Sequence, residues 1–153
     1  MTCGIVMVQP DCPEFRSGQI FLHRLPSGED PSSVIADFCL RKGIRTATFT
    51  LAGTLSTVTL GVYDPKQQVY VTHTEETALE ILSCAGNVSI KDGDPCVRAS
   101  IALADLTGRI FGGRLFSPSR IFSAEMTLQA LLGAPLHRTY DPGCGLDLLP
   151  PGH

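Results

Sequence analysis

The feature that most constrains the fold is the stretch between residues 80 and 128, where apolar segments alternate with turn signals. Segments rich in apolar and β-branched residues predict strands at residues 80–90, 96–104, 110–116 and 119–128. The sequences D-G-D-P at residues 92–95 and L-T-G at residues 106–108 predict turns between them. The pair Gly112-Gly113 is typical of a bulge or of a close backbone approach. Such a meander needs a second layer over its apolar face.

A single helix is predicted to supply that layer. Asp30 suits the N-cap position and Pro31 the first helical position, and Lys42-Gly43 suits the C-terminal end. Apolar residues at helical spacing form one stripe, namely Val34, Ile35, Phe38 and Cys39. Further strands are predicted at residues 18–25, 45–52, 55–63, 68–74 and 136–140. The sequence therefore predicts an α+β fold, a mostly antiparallel β-sheet meander with one main helix.

The length and composition predict one globular domain. The chain has 153 residues, of which 43% are hydrophobic and 18% are charged. We expect an N-terminal arm at residues 1–14, the domain at residues 15–149 and a C-terminal tail at residues 150–153. No apolar run is long enough to span a bilayer, and the N-terminus lacks the basic region of a signal peptide. We therefore expect a cytoplasmic protein that does not contact a membrane.

The sequence offers no catalytic motif. It contains no G-x-S-x-G, no Walker loop and no dinucleotide-binding glycine pattern. The six cysteines include no CxxC pair, so we expect reduced and mostly structural thiols. The histidines at positions 23, 73, 137 and 153 share no ligand spacing. We accordingly assign no catalytic residue and expect neither a metal nor a cofactor.

Several ordered motifs are similar to those of the plants and prokaryotes conserved (PPC) domain, of the type that stands alone in prokaryotes. The central motifs are G-N-V-S at residues 86–89, A-D at 104–105, T-G at 107–108, G-G-x-L at 112–115 and A-E-M at 124–126. The flanking motifs are L-x-x-G-E-D at 25–30, A-G-T-L at 52–55, R-x-x-D at 138–141 and G-L at 145–146. The resemblance covers roughly residues 15–149, nearly the whole chain.

The PPC resemblance carries expectations about fold, assembly and partners. It implies a PPC-like sheet fold related to that of acetolactate decarboxylase, and assembly as a homotrimer. It also implies DNA or transcription regulators as partners. In the family pattern, H-x-H usually precedes A-D and a further histidine follows the glycine pair. Here Arg98, Ser100 and Arg114 stand at these places, so a metal role inherited from the family is not expected.

The two arginines at these places suggest a site for anions. Strand alternation puts Arg98 and Ser100 on one face of their strand, and the resemblance puts Arg114 and Glu125 beside them. Two neighbouring guanidiniums repel each other unless an anion lies between them. That anion is either Glu125, in a closed structural ion pair, or a bound carboxylate or phosphate gripped by the arginines. Both alternatives remain open from the sequence.

A second possible site is the tripeptide Glu80-Ile81-Leu82. Plant PPC domains use a segment ending in E-I-L to contact other regulators, and this chain matches only that half of the segment. A buried strand explains the same three residues equally well. Partner docking at this tripeptide is therefore the weaker of the two site hypotheses.

Two classes of function follow from these observations. The first is a trimeric PPC module that acts in regulation or in DNA binding. The net charge of −3 and the lack of an R-G-R tripeptide argue against strong direct binding to DNA. The second is a sensor for a small anionic molecule, or a metal-independent enzyme, that uses Arg98, Ser100, Arg114 and Glu125. A binding module is the stronger expectation because no nucleophile or base is recognisable.

Overall fold

The computed structural model describes residues 12–151 and confirms the α+β class. Nine elements follow one another along the chain. They are β1 (Arg16–Leu25), α1 (Pro31–Lys42), β2 (Ala47–Asp64), β3 (Val69–Glu75), β4 (Leu79–Lys91), β5 (Asp94–Ala104), β6 (Ile110–Leu132), β7 (Thr139–Asp141) and β8 (Leu146–Leu148). Most of the predicted N-terminal arm, residues 1–11, lies outside the described residues, so the domain boundaries stay a prediction.

The long strand β6 organises the main sheet. Its C-terminal half pairs with β1, its N-terminal end pairs with β5, and most of its length pairs with β2. Since β2 also pairs with β4, and β4 with β5, the four strands β2, β4, β5 and β6 close into a ring. All pairings among the strands of this sheet are antiparallel, and β1 and β3 extend the ring at β6 and β2. A short hairpin, β7–β8, forms a separate sheet.

Two predicted pairs of strands are single long strands in the structure. The expected corner at Gly53 is a bend within β2, where a φ of 125° lets the chain turn without leaving the sheet. A Cβ at this position would collide with the backbone oxygen of Ser123 on β6. The strands predicted at residues 110–116 and 119–128 are likewise joined in β6. The backbone N–H of Thr59 donates to the Ser119 hydroxyl at this junction, at 3.0 Å, which keeps β2 and β6 connected.

The helix covers the sheet as the sequence predicts. Ile35 and Cys39 are fully buried, and α1 packs against β5 and β6. Phe38 contacts Phe21 of β1 edge to face, with ring centroids 5.1 Å apart. Within residues 12–151, no helix is both long and apolar enough to cross a bilayer.

Asp30 connects the start of α1 to β6. Its Oδ1 accepts hydrogen bonds from the backbone N–H of Ser33, at 3.0 Å, and from the Ser117 hydroxyl, at 2.9 Å. Its Oδ2 accepts the backbone N–H of Ser119 at 2.8 Å. One carboxylate therefore caps the helix and holds the irregular part of β6.

We predict that Asp30→Ala lowers the free energy of unfolding by about 2–3 kcal/mol, because it removes an N-cap and orphans a partly buried N–H. Urea unfolding at fixed protein concentration measures this loss. Asp37→Ala is the control, since it removes an exposed carboxylate whose ion pair with Arg41, on the same helix, contributes less than about 1 kcal/mol. Equal losses in the two variants would contradict the role given to Asp30.

Candidate functional site

Arg98, Ser100 and Arg114 lie together at one cavity. Ser100 on β5 pairs directly with Arg114 on β6, and Arg98 precedes Ser100 by two residues on the same face. The cavity has a volume of about 270 Å³. Its lining consists of Tyr70, Ala85, Gly86, Asn87, Arg98, Ala99, Ser100, Arg114 and Arg138. Three guanidinium groups therefore surround one small space.

Local sequence explains why this face of β5 is polar. Ala99 and Ile101 are buried in the core, so the alternating residues Arg98 and Ser100 point away from it. Gly86 on β4 pairs with Ala99, and a Cβ on this glycine would come within 2.5 Å of the Arg98 carbonyl oxygen. The glycine of the G-N motif thus permits the close approach of β4 and β5 beneath the cavity.

Arg138, in the segment before β7, is held by three hydrogen bonds. Its Nε donates to Ser89 Oγ at 2.8 Å, and its Nη2 donates to Asn87 Oδ1 at 2.9 Å. Its Nη1 donates to the backbone oxygen of Asp147 at 3.3 Å. Burial, together with the nearby charges of Arg98 and Arg114, lowers the pKa of Arg138. Burial is the largest cause, and the positive charges of Arg98 and Arg114 add to it.

Arg114 is held by aromatic rings. Its guanidinium carbon lies 4.8 Å from the ring centroids of both Tyr70 and Phe116, at cation–π distance. Its Nε is buried and has no hydrogen-bond partner among the described residues. The Nε of Arg98 is also buried without a partner. Both arginines therefore have a buried N–H group without a partner among the described residues, which is uncommon for buried polar groups.

One carboxylate faces these cations. Asp147 on β8 accepts a hydrogen bond from Lys91 Nζ at 2.5 Å, and its Oδ2 lies 3.7 Å from Arg98 Nη2. The hydrogen bond from Lys91, followed by the charges of Lys91, Arg98 and Arg138, lowers the pKa of Asp147 against the opposing effect of burial. Among the described residues, Asp147 is the one acid within ion-pair distance of Arg98, and none lies within that distance of Arg114 or Arg138.

The expectation that Glu125 joins this site is not met. Glu125 is exposed and lies in the other half of β6, opposite Ala52 of β2 and Arg24 of β1. It is not part of the cavity lining, and Asp147 takes the place expected for it. The resemblance could place Glu125 on the correct strand, but the position along a long strand depends on the pairing register.

Sequence reasoning also missed Asn87, Arg138 and Asp147 as site residues. The motifs G-N at residues 86–87 and R-x-x-D at residues 138–141 contain two of them, and these motifs were the available signal. No comparable signal points to Asp147. Its contacts with Lys91 of β4 and Arg98 of β5 arise because β8 folds back beside these strands, which are far from it in sequence.

The tripeptide at residues 80–82 lies in the middle of the sheet. Glu80 pairs with Thr54 of β2 and with Ala104 of β5, so β4 has no free edge here. Ile81 is buried, whereas Glu80 and Leu82 are exposed. Partner docking at this tripeptide stays a prediction, and only Glu80 and Leu82 present their side chains to a partner.

The cavity does not fit the divalent metal that the family resemblance implies. A cation would be repelled by three guanidiniums, and residues 12–151 contain no cluster of three or more histidines, cysteines, aspartates or glutamates suited to hold one. Cys39 and Cys84 are buried in the core, and burial raises the pKa of each thiol to about 11, which disfavours the reactive thiolate. Cys96 is half-buried.

Comparisons with known proteins agree with the motifs. The model of the Plants and Prokaryotes Conserved domain matches residues 13–132. A metal-containing protein from Archaeoglobus fulgidus is 34% identical, with a TM-score of 0.86 over 92% of this chain and 99% of that one. A plant- and prokaryote-conserved protein from Pyrococcus horikoshii is 34% identical, with a TM-score of 0.85 over 90% of this chain and 95% of that one.

A more distant structure, from Bacteroides thetaiotaomicron, is named as a candidate DNA-binding protein. It is 21% identical, with a TM-score of 0.78 over 89% of this chain and 96% of that one, a likeness that extends to the fold alone. No curated protein matches the chain significantly. Since the family match spans most of the chain and agrees with the strand order and motifs described above, this chain belongs to the Plants and Prokaryotes Conserved domain family.

Proposed function

We propose that this chain is a regulatory binding module that binds a small anion in the arginine cavity. The observation that carries the proposal is the convergence of three guanidiniums, those of Arg98, Arg114 and Arg138, on one cavity, while Asp147 is the one carboxylate of the described residues within ion-pair distance of them. An oxygen-rich anion pairs with such guanidiniums and offsets their mutual repulsion. The cavity offers no nucleophile or general base of perturbed pKa, so we propose binding and not catalysis.

The charge balance supports the same proposal. Arg98, Arg114 and Arg138 line the cavity, whereas Asp147 supplies one negative charge, which it shares with Lys91. The similar protein from Archaeoglobus fulgidus contains a metal. We propose that this chain binds an anion at its cavity instead, because three guanidiniums in the lining repel a cation.

We predict that phosphate, sulfate or malonate raises the melting temperature of the protein. A ligand at a hundred times its Kd stabilises the folded state by about 2.7 kcal/mol, which shifts the melting temperature by about 5–10 °C. Thermal-shift measurements at constant ionic strength, with chloride as the reference anion, detect this change. The wild type should respond to at least one of these anions.

Two variants test whether the anion that raises the melting temperature binds at the arginine cavity. Arg114→Gln should abolish most of the shift, because it removes one of the three guanidiniums at the cavity. Within residues 12–151 it breaks cation–π contacts with Tyr70 and Phe116 but no side-chain hydrogen bond. Arg41→Gln is the matched control, since it removes an exposed arginine on α1 and should keep the full shift. Similar shifts in the wild type and both variants would show non-specific stabilisation and contradict the proposal.

We also propose that the module is a homotrimer, as the family resemblance implies. Exposed apolar side chains on the strands support an assembly. Val62 and Val71 face each other across β2 and β3 and are each more than half exposed, as are Ile20 and Leu22 on β1. Apolar patches of this kind are typical of protein interfaces.

We therefore predict that size exclusion coupled to light scattering gives three times the chain mass at micromolar concentration. Association should persist in high salt, because burial of apolar surface and not charge drives it. A monomer mass under these conditions would refute the trimer, and it would leave the anion proposal standing.

Direct DNA binding is the second candidate function. The name of the Bacteroides thetaiotaomicron protein favours it, although that likeness extends to the fold alone. Against it stand the net charge of −3 and the lack of an R-G-R tripeptide. We propose that regulation by this module proceeds through its ligand or through protein partners more than through the DNA backbone.

We predict that binding to random-sequence duplex DNA has a Kd of about a micromolar or weaker at physiological salt. Fluorescence anisotropy with a labelled duplex measures it, and a salt series separates backbone contacts from other contributions. Nanomolar affinity for duplex DNA at physiological salt would make direct DNA binding the stronger of the two candidate functions.

A further inference from the structure

We propose that the arginine cavity recognises the dianionic phosphoryl group of a phosphate monoester. This inference rests on the proposed anion-binding function and specifies the ligand class. It follows from the excess charge at the cavity, the kind of hydrogen-bonding groups that line it, and its size.

The excess of positive charge at the cavity favours a ligand that carries more than one negative charge. Lys91, Arg98, Arg114 and Arg138 carry positive charge at or beside the cavity, and the Asp147 carboxylate is the counter-charge within ion-pair distance of Lys91 and Arg98. A monoanion leaves most of this excess in place. A dianion neutralises more of it, so each cation gains more from the dianion than from a monoanion of the same shape.

The lining presents more donors than acceptors. The guanidiniums of Arg98, Arg114 and Arg138 only donate, and Asn87 uses its carbonyl oxygen to accept from Arg138 Nη2, which leaves its amide N–H groups free to donate. The Ser100 hydroxyl can donate or accept. A fully ionised phosphoryl group brings acceptors alone, whereas a hydrogen phosphate or a protonated acid brings a donor that needs an acceptor such as Ser100.

The number of guanidiniums favours phosphate over carboxylate. Arg98 comes from β5, Arg114 from β6 and Arg138 from the segment before β7, so the three approach from separate elements. A phosphate monoester has three terminal oxygens and can bond to all three at once, whereas one carboxylate has two oxygens in a plane. The volume of about 270 Å³ is below that of pockets for drug-sized ligands. It suits a phosphoryl group with a small attached part.

Isothermal titration calorimetry with three probes tests whether the ligand is a phosphate monoester. Methyl phosphate is dianionic at pH 8, dimethyl phosphate has one charge and imitates the phosphodiester of a nucleic-acid backbone, and malonate is a dicarboxylate. The wild type should bind methyl phosphate at least about tenfold more tightly than either of the others. If dimethyl phosphate or malonate binds as tightly, the anion site stands but the phosphate-monoester class is wrong. If none of the three binds, the proposed function itself fails.

Asp147→Asn tests whether the ligand lies beside Arg98. Removing the neighbouring negative charge should tighten the binding of methyl phosphate, and tighten it by a larger factor than that of dimethyl phosphate, because the dianion feels the change twice as strongly. Asp37→Asn, which removes an exposed carboxylate on α1, should change neither affinity by more than about twofold. Unchanged binding in a folded Asp147→Asn variant would place the ligand elsewhere and overturn the inference.

Lys91→Gln provides a second test of the ligand's position if the Asp147→Asn variant does not fold. The Lys91 side chain is 42% exposed. Its replacement removes one positive charge, and the Asp147 carboxylate then keeps Arg98 as its remaining ion-pair partner, so that it cancels more of the Arg98 charge. The affinity for methyl phosphate should therefore fall, again by a larger factor than that for dimethyl phosphate. An affinity equal to that of the wild type would contradict the placement of the ligand at this cavity.

Discussion

The backbone hydrogen bonding of β6 is the constraint on which the rest of the structure depends. A strand that pairs on both edges leaves few unsatisfied polar groups, and β6 pairs with β1, β2 and β5 along its length. Closing the ring through β2 and β4 removes the free edges of the central strands. The bend at Gly53 and the contacts of Asp30 and Ser119 let two long strands remain paired where a straight ladder could not.

The same pairing sets the position of the cations. Arg98 and Arg114 lie on neighbouring strands whose register is fixed by the core residues behind them, including Ala99, Ile101 and Leu115. A one-residue slip would move these arginines into the core, at a large cost in free energy. The crowding of positive charge is therefore maintained by apolar packing on the other face of the sheet.

The sequence predicts local features well and distant ones poorly. The caps of α1, its apolar stripe and the strands at β3, β4 and β5 follow from local patterns. Local patterns do not predict that β2 and β6 are continuous strands. Their continuity depends on hydrogen bonds between residues far apart in sequence, such as that of Asp30 with Ser119. At the site, alternation puts Arg98 and Ser100 on one face, and the family motif adds Arg114. Asp147, and not Glu125, lies beside Arg98 because the β7–β8 hairpin packs next to the cavity, a long-range contact that local patterns do not predict.

The β7–β8 hairpin is attached to the rest of the protein outside the cavity. The position of the positive charges and the extent to which they are neutralised therefore depend on different parts of the fold. Gln68 donates its side-chain N–H to the Gly143 oxygen at 2.9 Å, and the Tyr63 hydroxyl donates to the Cys144 oxygen. These contacts fasten the hairpin to β2 and to the turn after it, outside the cavity. The ring of strands thus fixes where Arg98 and Arg114 lie, while Asp147 on the hairpin determines how much of the positive charge is cancelled. A change at position 147 therefore alters the net charge beside the cavity from a surface hairpin, without any repacking of the core.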